Sequence, residues 1–386
     1  MNIGIAAPIE VLSLKDHLTD LSESDLQLGL GGSAINTLID GFIKAGHNVT
    51  VFTLDKRIKG KYVLKGPNLK IIFGYYRTLA RSKMFNFDRK EYKQIERVIR
   101  EEKDNIDIVN AHWSYEFAIG TIRSGVPHLI TFRDDSLTVF KMSKHPYTMT
   151  RLLMDFYVRR KAKCISFNSP MLKDKVGLEG DVIPNSIKDS YIGNKRKYPY
   201  SKKMKICFIA NANYYLKNPL NAIKAFASIQ DNDYINAELH FIGKDYSKDS
   251  AIAQQARKES WDKNVIFRGG FSSNELMTEL EEYDILLHTS REESFGNTLI
   301  EAMAKGIPVI GGKRSGAVPW VLDYGKAGIL VDVEDISDIA SALIRLLTDP
   351  ILYESLSISE LDSLRKRFSQ SHVCQLYIES YQKIIS

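Results

Sequence analysis

The chain has 386 residues, 44% of them hydrophobic and 26% charged. That is the composition of an ordinary globular protein of two domains, and it excludes disordered and fibrous classes. The net charge of +6 is unevenly spread. Residues 1–200 hold 32 Lys and Arg against 22 Asp and Glu, and residues 201–386 hold 21 against 25. A basic first half suits an anionic partner, such as a membrane surface, a nucleic acid or a phosphorylated substrate, or is simply a solvated basic face.

In chain order, short apolar runs alternate with helix-patterned stretches. In the first half the strand-like runs are Asn2–Ala7, Asn48–Leu54, Leu69–Phe73, Ile106–Ala111, His128–Phe132, Cys164–Asn168 and Asp181–Pro184. In the second they are Lys205–Ala210, Glu238–Gly243, Val265–Gly269, Asp284–His288, Pro308–Gly311 and Gly328–Val331. Helical periodicity covers Ser33–Ala45, Arg89–Glu102, Asn218–Ile229, Ser273–Glu282, Asn297–Lys305 and Ile336–Leu347. Strands spaced by such helices predict βαβ units and parallel sheets, twice over. Between the halves, Lys188–Lys203 (KDSYIGNKRKYPYSKK) is polar and lacks apolar periodicity, which reads as a linker. The predicted layout is a first domain at 1–190, a linker at 191–203, a second domain at 204–370 and a terminal helix at 371–386. That helix offers Val373, Leu376, Tyr377, Tyr381, Ile384 and Ile385 as one apolar face, with the first domain as the surface for it to cover. Ligands of open α/β sheets sit beyond the carboxyl ends of the strands, so the active site is expected in a cleft lined by such loops.

No run of about 18 apolar residues exists to cross a membrane. Met1–Leu12 lacks a basic n-region and carries Pro8 and Glu10, unlike a signal peptide. Cys164, Cys207 and Cys374 are odd in number and far apart, forming neither a disulfide framework nor a zinc site. A cytoplasmic location is expected, and no metal.

The stretch richest in chemistry is Thr289–Gly312, TSREESFGNTLIEAMAKGIPVIGG. A strand end is followed by charges, then Phe295-Gly296-Asn297, then a helix. A helix N-terminus stabilises a phosphate through its free N–H groups and dipole. Glu301 lies roughly 7.5 Å along the axis from Gly296, at 1.5 Å per residue, where a carboxylate reaches ribose hydroxyls. Glu293, just outside the helix, reaches a sugar hydroxyl across the diphosphate. The spacing suits a nucleotide-sugar; equally, these are a helix-start charge and a solvated helix position.

The segment from Glu292 to Gly311, with its Glu, seven residues, then Glu, resembles the signature of retaining glycosyltransferases of family 4. Other pieces are similar to that family in the same order: Gly31-Gly32 with Ala45–Val49, IDIVNAHW at Ile106–Trp113, VIPNSI at Val182–Ile187, Lys217-Asn218, and GKAGILV at Gly325–Val331. The resemblance implies a GT-B fold, two Rossmann-like doubly wound domains facing across a cleft. It implies a metal-independent retaining enzyme with no bound cofactor and a UDP- or GDP-linked sugar as co-substrate. By the same resemblance, Lys217 neutralises the leaving diphosphate, Glu301 holds the ribose, and Glu293 holds the transferred sugar. Phe295 and the backbone of Gly296, Asn297, Thr298 and Leu299 flank or cradle the phosphate. Gly31 and Gly32 let the backbone approach it, and Gly270 and Phe271 fall where the family contacts the base. Retention in the family is attributed to front-side attack, with the leaving phosphate taking the acceptor proton.

Two positions depart from the family pattern. The Arg expected five residues before Lys217 is Ala212, with Arg268 or Arg291 as substitutes. The His of a Thr-x-His-Asp step is Arg133, which is always protonated and cannot act as a base; a catalytic contribution from Arg133 would be phosphate binding. The expected function is transfer of a sugar to a saccharide acceptor, lipid-linked, in surface or exopolysaccharide synthesis. The location is cytoplasmic, peripheral at an anionic membrane surface, with no nucleic acid bound. The rivals are a nucleotide-sugar epimerase of the same fold and a non-catalytic subunit.

Other signals are demoted. Asp231-Asn232-Asp233 matches a metal-binding Asp-x-Asp but follows a helix, as a turn. Asn48-Val49-Thr50, a glycosylation match, lies in a predicted strand. His47 and His288 read as structural, and His112 as structural or an acceptor contact. The segment Arg151–Lys163 (RLLMDFYVRRKAK) suits a membrane interface, but a core-packing helix with a basic outer face is the preferred reading. Arg77, Arg81, Lys83, Arg89 and Lys90, interleaved with Tyr75, Tyr76, Phe85 and Phe87, suit an acceptor or membrane role.

Overall fold

The computed structural model describes every residue except Phe85, Lys144, Ser201, Ala212, Asn213 and Asp233, and of Ser273 and Asn274 only the backbone. The chain forms two compact units. The first comprises Met1–Ser186 with Gln370–Ser386, the second Ile187–Ser369.

The first unit is built on an eight-stranded sheet. Its strands are β1 (Asn2–Ala6), β2 (Asn48–Asp55), β3 (Tyr62–Lys65), β4 (Leu69–Tyr75), β5 (Ile108–His112), β6 (His128–Phe132), β7 (Ile165–Phe167) and β8 (Asp181–Val182). Their order is β3-β4-β2-β1-β5-β6-β7-β8. All pairings are parallel except β3 against β4, an antiparallel edge strand that the sequence reading did not include. The sheet is buried on both faces. On β2, Val49 and Val51 enter one core with Ile3 and Ile5 of β1. Phe52 and Leu54 enter the opposite core with Ile95 and Ile99 of the helix Arg89–Glu101. That is the period-2 alternation of a strand with a helix layer on each side.

One of those layers is the helix Ser33–Lys44, which buries Ile35, Leu38, Ile39 and Phe42 at helical spacing. Against it lies Gln370–Ile385, the last helix of the chain, which buries Val373, Tyr377 and Tyr381. Gly41 makes the approach possible: a Cβ there would stand 2.4 Å from Cys374 Sγ. Gln370 Nε2 donates to Thr37 O (2.6 Å) and Asp40 Oδ2 (2.7 Å). Asn110 Nδ2 donates to Tyr381 Oη at 2.8 Å.

The second unit carries a six-stranded, wholly parallel sheet: β9 (Met204–Ile209), β10 (Ala237–Ile242), β11 (Val265–Gly269), β12 (Ile285–His288), β13 (Val309–Gly312) and β14 (Ile329–Val331). The order is β11-β10-β9-β12-β13-β14. The segment 191–203, expected as a linker, belongs to this unit. Arg196 donates from Nε to Lys305 O (2.9 Å) and from Nη1 to Glu281 O (3.0 Å), satisfying carbonyls at helix ends. Tyr198 bonds Leu347 O and packs edge-on against Tyr353. Arg196 and Tyr198 thus tie the segment to the unit, while Asn194, Lys195, Lys197 and Lys202 face solvent.

The helix Pro146–Lys161 corrects a second expectation. Its outer face is apolar: Met149, Leu153, Phe156 and Tyr157 are exposed, and Arg160 and Lys161 close the face at its end. The exposed positions of Arg89–Glu101 are basic (Arg89, Lys90, Lys93, Arg97 and Arg100) apart from Glu101. Among the described residues, no helix is long and apolar enough to cross a membrane.

Candidate active site

In the second sheet the strand order reverses at β9, which lies between β10 and β12. A doubly wound sheet opens a crevice at such a switch point, beyond the carboxyl ends of the strands. A pocket of about 400 Å³ lies there. Ile209 and Asn211 line it from the end of β9, Gly243 from β10, Phe271 from the loop after β11, and Glu293, Gly296, Asn297, Thr298 and Glu301 from the loop and helix after β12.

Lys217 ends the short helix Tyr214–Lys217. The next residue, Asn218, is in the left-handed region (φ 55°), a conformation Asn tolerates better than most residues. Its Nδ2 donates to Val333 O at 2.8 Å, and Thr289 Oγ1, just past β12, donates to Asn218 O at 2.9 Å. The backbone at Lys217 is therefore fixed from two sides. The Lys217 ammonium meets Glu293 Oε1 at 2.5 Å. His288 Nε2 lies 3.3 Å from the same oxygen, without the alignment of a hydrogen bond. Burial pushes the Glu293 carboxyl up, but the contacts with His288 and Lys217 outweigh it and hold it at about 2.

Gly296 caps the helix Asn297–Ala304 at φ 94° and ψ 71°, with no side chain closing the N-terminus. A Cβ at Gly296 would meet Leu299 Cδ1 at 2.9 Å, and an L side chain resists that φ. One and a half turns along, Glu301 lines the pocket with no hydrogen-bond or ion-pair partner among the described residues. Burial alone pushes its carboxyl up to about 7. The pocket thus pairs a cation and a helix N-terminus with an acceptor that lacks donors. An anionic group bearing hydroxyls on one side supplies what both need.

The structure separates the residues singled out in the sequence. Lys217, Phe271, Glu293, Gly296, Asn297, Thr298 and Glu301 line one pocket. Phe295 does not: it is buried edge-on against Trp320 and Phe368, anchoring the helix start. Leu299 is likewise a core side chain, and its N–H bonds Gly296 O at 3.1 Å. Gly270 is not in the lining, and its missing Cβ makes room for Lys244. Neither substitute for the absent Arg reaches the pocket. Arg268 pairs with Glu279 at 2.7 Å, and Arg291 with Glu334 at 2.6 Å. Lys217 is the one cation among the described lining residues; Ala212 lies outside the described residues, as do Asn213, Phe85 and Asp233.

Gly31, Gly32 and Arg133 belong to the first unit. Gly32 caps the helix Ser33–Lys44 at φ 108°, where a Cβ would strike Pro8 O at 2.3 Å; Gly31, at φ 92°, faces open space. So at Gly32 the chain's own backbone already demands glycine. Arg133, just past β6, is buried. It donates from Nε to His112 Nδ1 at 3.1 Å and from Nη1 to Asn185 Oδ1, with no carboxylate partner among the described residues. Burial and the Arg133 charge hold His112 well below the usual histidine range, and its Nε2 is buried without a partner. Of the two readings the sequence left open, structural or an acceptor contact, the satisfied structural one holds only at Nδ1.

Sequence reasoning also missed His288, read as structural, and the pocket positions Asn211 and Gly243. The available signal was location at the carboxyl ends of β9, β10 and β12. In the basic, aromatic segment after β4, Lys83 is buried over the rings of Tyr76 (4.0 Å) and Tyr147 (4.6 Å) and Arg77 pairs with buried Glu91 at 2.6 Å, while Arg81, Arg89 and Lys90 are exposed.

The family profile "Glycosyltransferase Family 4" matches residues 31–190, and "Glycosyl transferases group 1" matches residues 194–360. Among curated relatives, the N-acetyl-alpha-D-glucosaminyl L-malate synthase of Bacillus anthracis is 29% identical over 191 residues, 50% of this chain and only 49% of that protein. A D-inositol 3-phosphate glycosyltransferase of Corynebacterium kroppenstedtii is 25% identical over 344 residues, 79% of this chain and 74% of that one. The sucrose-phosphate synthase of Thermosynechococcus elongatus superposes with a TM-score of 0.76 at 18% identity, over 99% of this chain and 98% of that one. Two doubly wound units, a pocket at the switch point of the second, and consecutive matches to the two domain profiles together place this chain among the group 1, family 4 glycosyltransferases of GT-B fold.

Proposed function

We propose that the protein transfers a sugar from a nucleotide-sugar, UDP- or GDP-linked, to a saccharide acceptor, with retention of anomeric configuration and without a metal. The observation that carries this reading is the Glu301 carboxyl, without a partner among the described residues, facing the same pocket as the Lys217–Glu293 pair and the uncapped helix start at Gly296. Breaking the bond between anomeric carbon and phosphate leaves negative charge on the nucleoside diphosphate. Pre-placed donors stabilise it without reorganisation. Lys217 exchanges Glu293 for the diphosphate. Opposite charges about 4 Å apart at an effective dielectric of 20 attract by about 4 kcal/mol, so the exchange is close to balanced. Released Glu293 then accepts from a hydroxyl of the transferred sugar, and Glu301 accepts from the ribose. The proton of the attacking hydroxyl passes to the leaving phosphate, so no side-chain base is required.

The acceptor in this reading is lipid-linked, in surface or exopolysaccharide synthesis, and the enzyme works at the inner face of the membrane. The support is the exposed apolar face of Pro146–Lys161 together with the exposed basic positions of Arg89–Glu101. Apolar side chains enter the interface while Lys and Arg gather anionic headgroups.

A thermal-shift panel of UDP, GDP and ADP tests donor binding, since a ligand of the native state raises stability by mass action. Product analysis with donor alone distinguishes an epimerase, and NMR of the product's anomeric proton tests retention. No shift with any nucleoside diphosphate overturns the reading.

A further inference from the structure

The Lys217–Glu293 pair has a third member. His288 ends β12, and its ring reaches across the base of the loop that leads to the helix Asn297–Ala304. Nε2 lies 3.3 Å from Glu293 Oε1, the oxygen that Lys217 meets at 2.5 Å. Nδ1 lies 3.4 Å from Thr298 Oγ1, in the first turn of that helix. The ring is buried, and Nε2 has no hydrogen-bond partner. A buried nitrogen without a bond costs stability that a leucine at the same strand end would not.

Glu293 is placed to use the ring. Its backbone is held from the other side: Ala317 N donates to Glu293 O at 2.9 Å, and a Cβ at Gly316 would stand 2.3 Å from that oxygen. That leaves the side chain to respond when a ligand enters. The carboxyl is 14% exposed, and it is ionised, held at about 2. A diphosphate that draws Lys217 away leaves Oε1 largely buried without its cation, which is strongly destabilising for a carboxylate. A buried acceptor that has lost its donor and a buried nitrogen that lacks a partner then face each other across 3.3 Å.

We propose that His288 is a positioning residue that takes over Glu293 when the donor diphosphate takes Lys217. The Thr298 hydroxyl donates to Nδ1, which leaves the ring hydrogen on Nε2, and a small rotation turns the 3.3 Å approach into a hydrogen bond to Oε1. Glu293 stays aimed at the transferred sugar without its cation, and Lys217 is released at little cost. His288 is not among the residues that line the pocket, so the ring acts through Glu293. The assignment rests on the glycosyltransferase reading and extends it to a residue behind the pocket wall.

Side chains of different reach test it. His288→Gln places an amide donor near the Nε2 position, His288→Asn reaches only as far as Nδ1, and His288→Phe fills the space without a donor. The first measurement needs no ligand, because Lys217→Ala leaves Glu293 to His288 permanently. His288→Phe should cost more in that background than alone, by a factor of at least about three in the folding equilibrium constant from urea unfolding. His288→Gln should remove most of that excess and His288→Asn should not, a rescue by reach that a merely space-filling role would not produce. The second measurement titrates whichever of UDP, GDP and ADP raises the thermal midpoint. Its Kd should weaken about tenfold in His288→Phe and His288→Asn, the lower end for a hydrogen bond to a charged group, and stay near wild type in His288→Gln. Additive stability losses overturn the proposal, as does a nucleotide affinity indifferent to the side chain at 288. If no nucleoside diphosphate binds the wild type, the transferase reading falls, and the ligand-free cycle alone decides whether His288 stands in for Lys217 at Glu293.

Discussion

Glu301→Gln separates the cost of this site from its use. In the folded chain the carboxyl is pushed up to about 7, against an ordinary value of 4.5. Between those values the folded state holds a proton that the unfolded chain has released, so wild-type stability falls as pH rises through the window. The full displacement, 7 less 4.5, corresponds to about 3.4 kcal/mol at 1.36 kcal/mol per pH unit. Most of it develops between pH 5 and pH 8, about 2.5 kcal/mol. Glutamine does not titrate, so whatever its own burial costs, its stability relative to wild type should improve by about that amount between the two pH values. Urea unfolding at pH 5 and pH 8 reads the difference. The same variant should bind nucleoside diphosphate more weakly, because a hydrogen bond to a charged acceptor contributes roughly 1.5–3 kcal/mol, a factor of about 10 to 150 in Kd. For the same reason wild-type binding should strengthen as pH rises through 7. A stability difference independent of pH, or unchanged nucleotide affinity, refutes the reasoning.

Lys217→Ala removes the one described cation of the pocket lining and leaves Glu293 buried without it; turnover should fall by at least a hundredfold with the fold retained by circular dichroism. Gly296→Ala forces an L residue to φ 94° against Leu299 and should destabilise by roughly 1–3 kcal/mol, read by urea unfolding. Deleting residues 370–386 exposes the first-unit surface that Val373, Tyr377 and Tyr381 cover, at roughly 1.5–3 kcal/mol for each large side chain, and should give insoluble or unfolded protein. Leu153→Asp with Phe156→Asp should abolish co-sedimentation with phosphatidylglycerol vesicles at low salt while leaving nucleotide binding intact; unchanged co-sedimentation would remove the membrane surface from the proposal.

Much of this protein was written in its sequence because the signals are local. Short apolar runs alternating with helical periodicity place thirteen of the fourteen strands among the described residues within a few positions. The missed strand, Tyr62–Lys65, is a short edge strand whose alternation is too brief to stand out. The run from Glu293 to Glu301 marks a strand end, a glycine-capped helix start and two carboxylates at fixed spacing. What only the tertiary structure decides depends on partners distant in the chain. Phe295 is a core side chain because Trp320 and Phe368 surround it. His288 faces Glu293 because β12 ends where the following loop turns back. The polar segment 191–203 is held in the second unit by Arg196 contacts with carbonyls some 85 to 109 residues away. The charge surplus of the first 200 residues is an inventory that sequence supplies. Its use is settled by folding, which buries Lys83 and Arg133, pairs Arg77, and leaves the exposed basic positions of Arg89–Glu101 in the first unit, whose helix Pro146–Lys161 turns an apolar face outward. Composition counts charges; burial and pairing decide which of them a partner can meet.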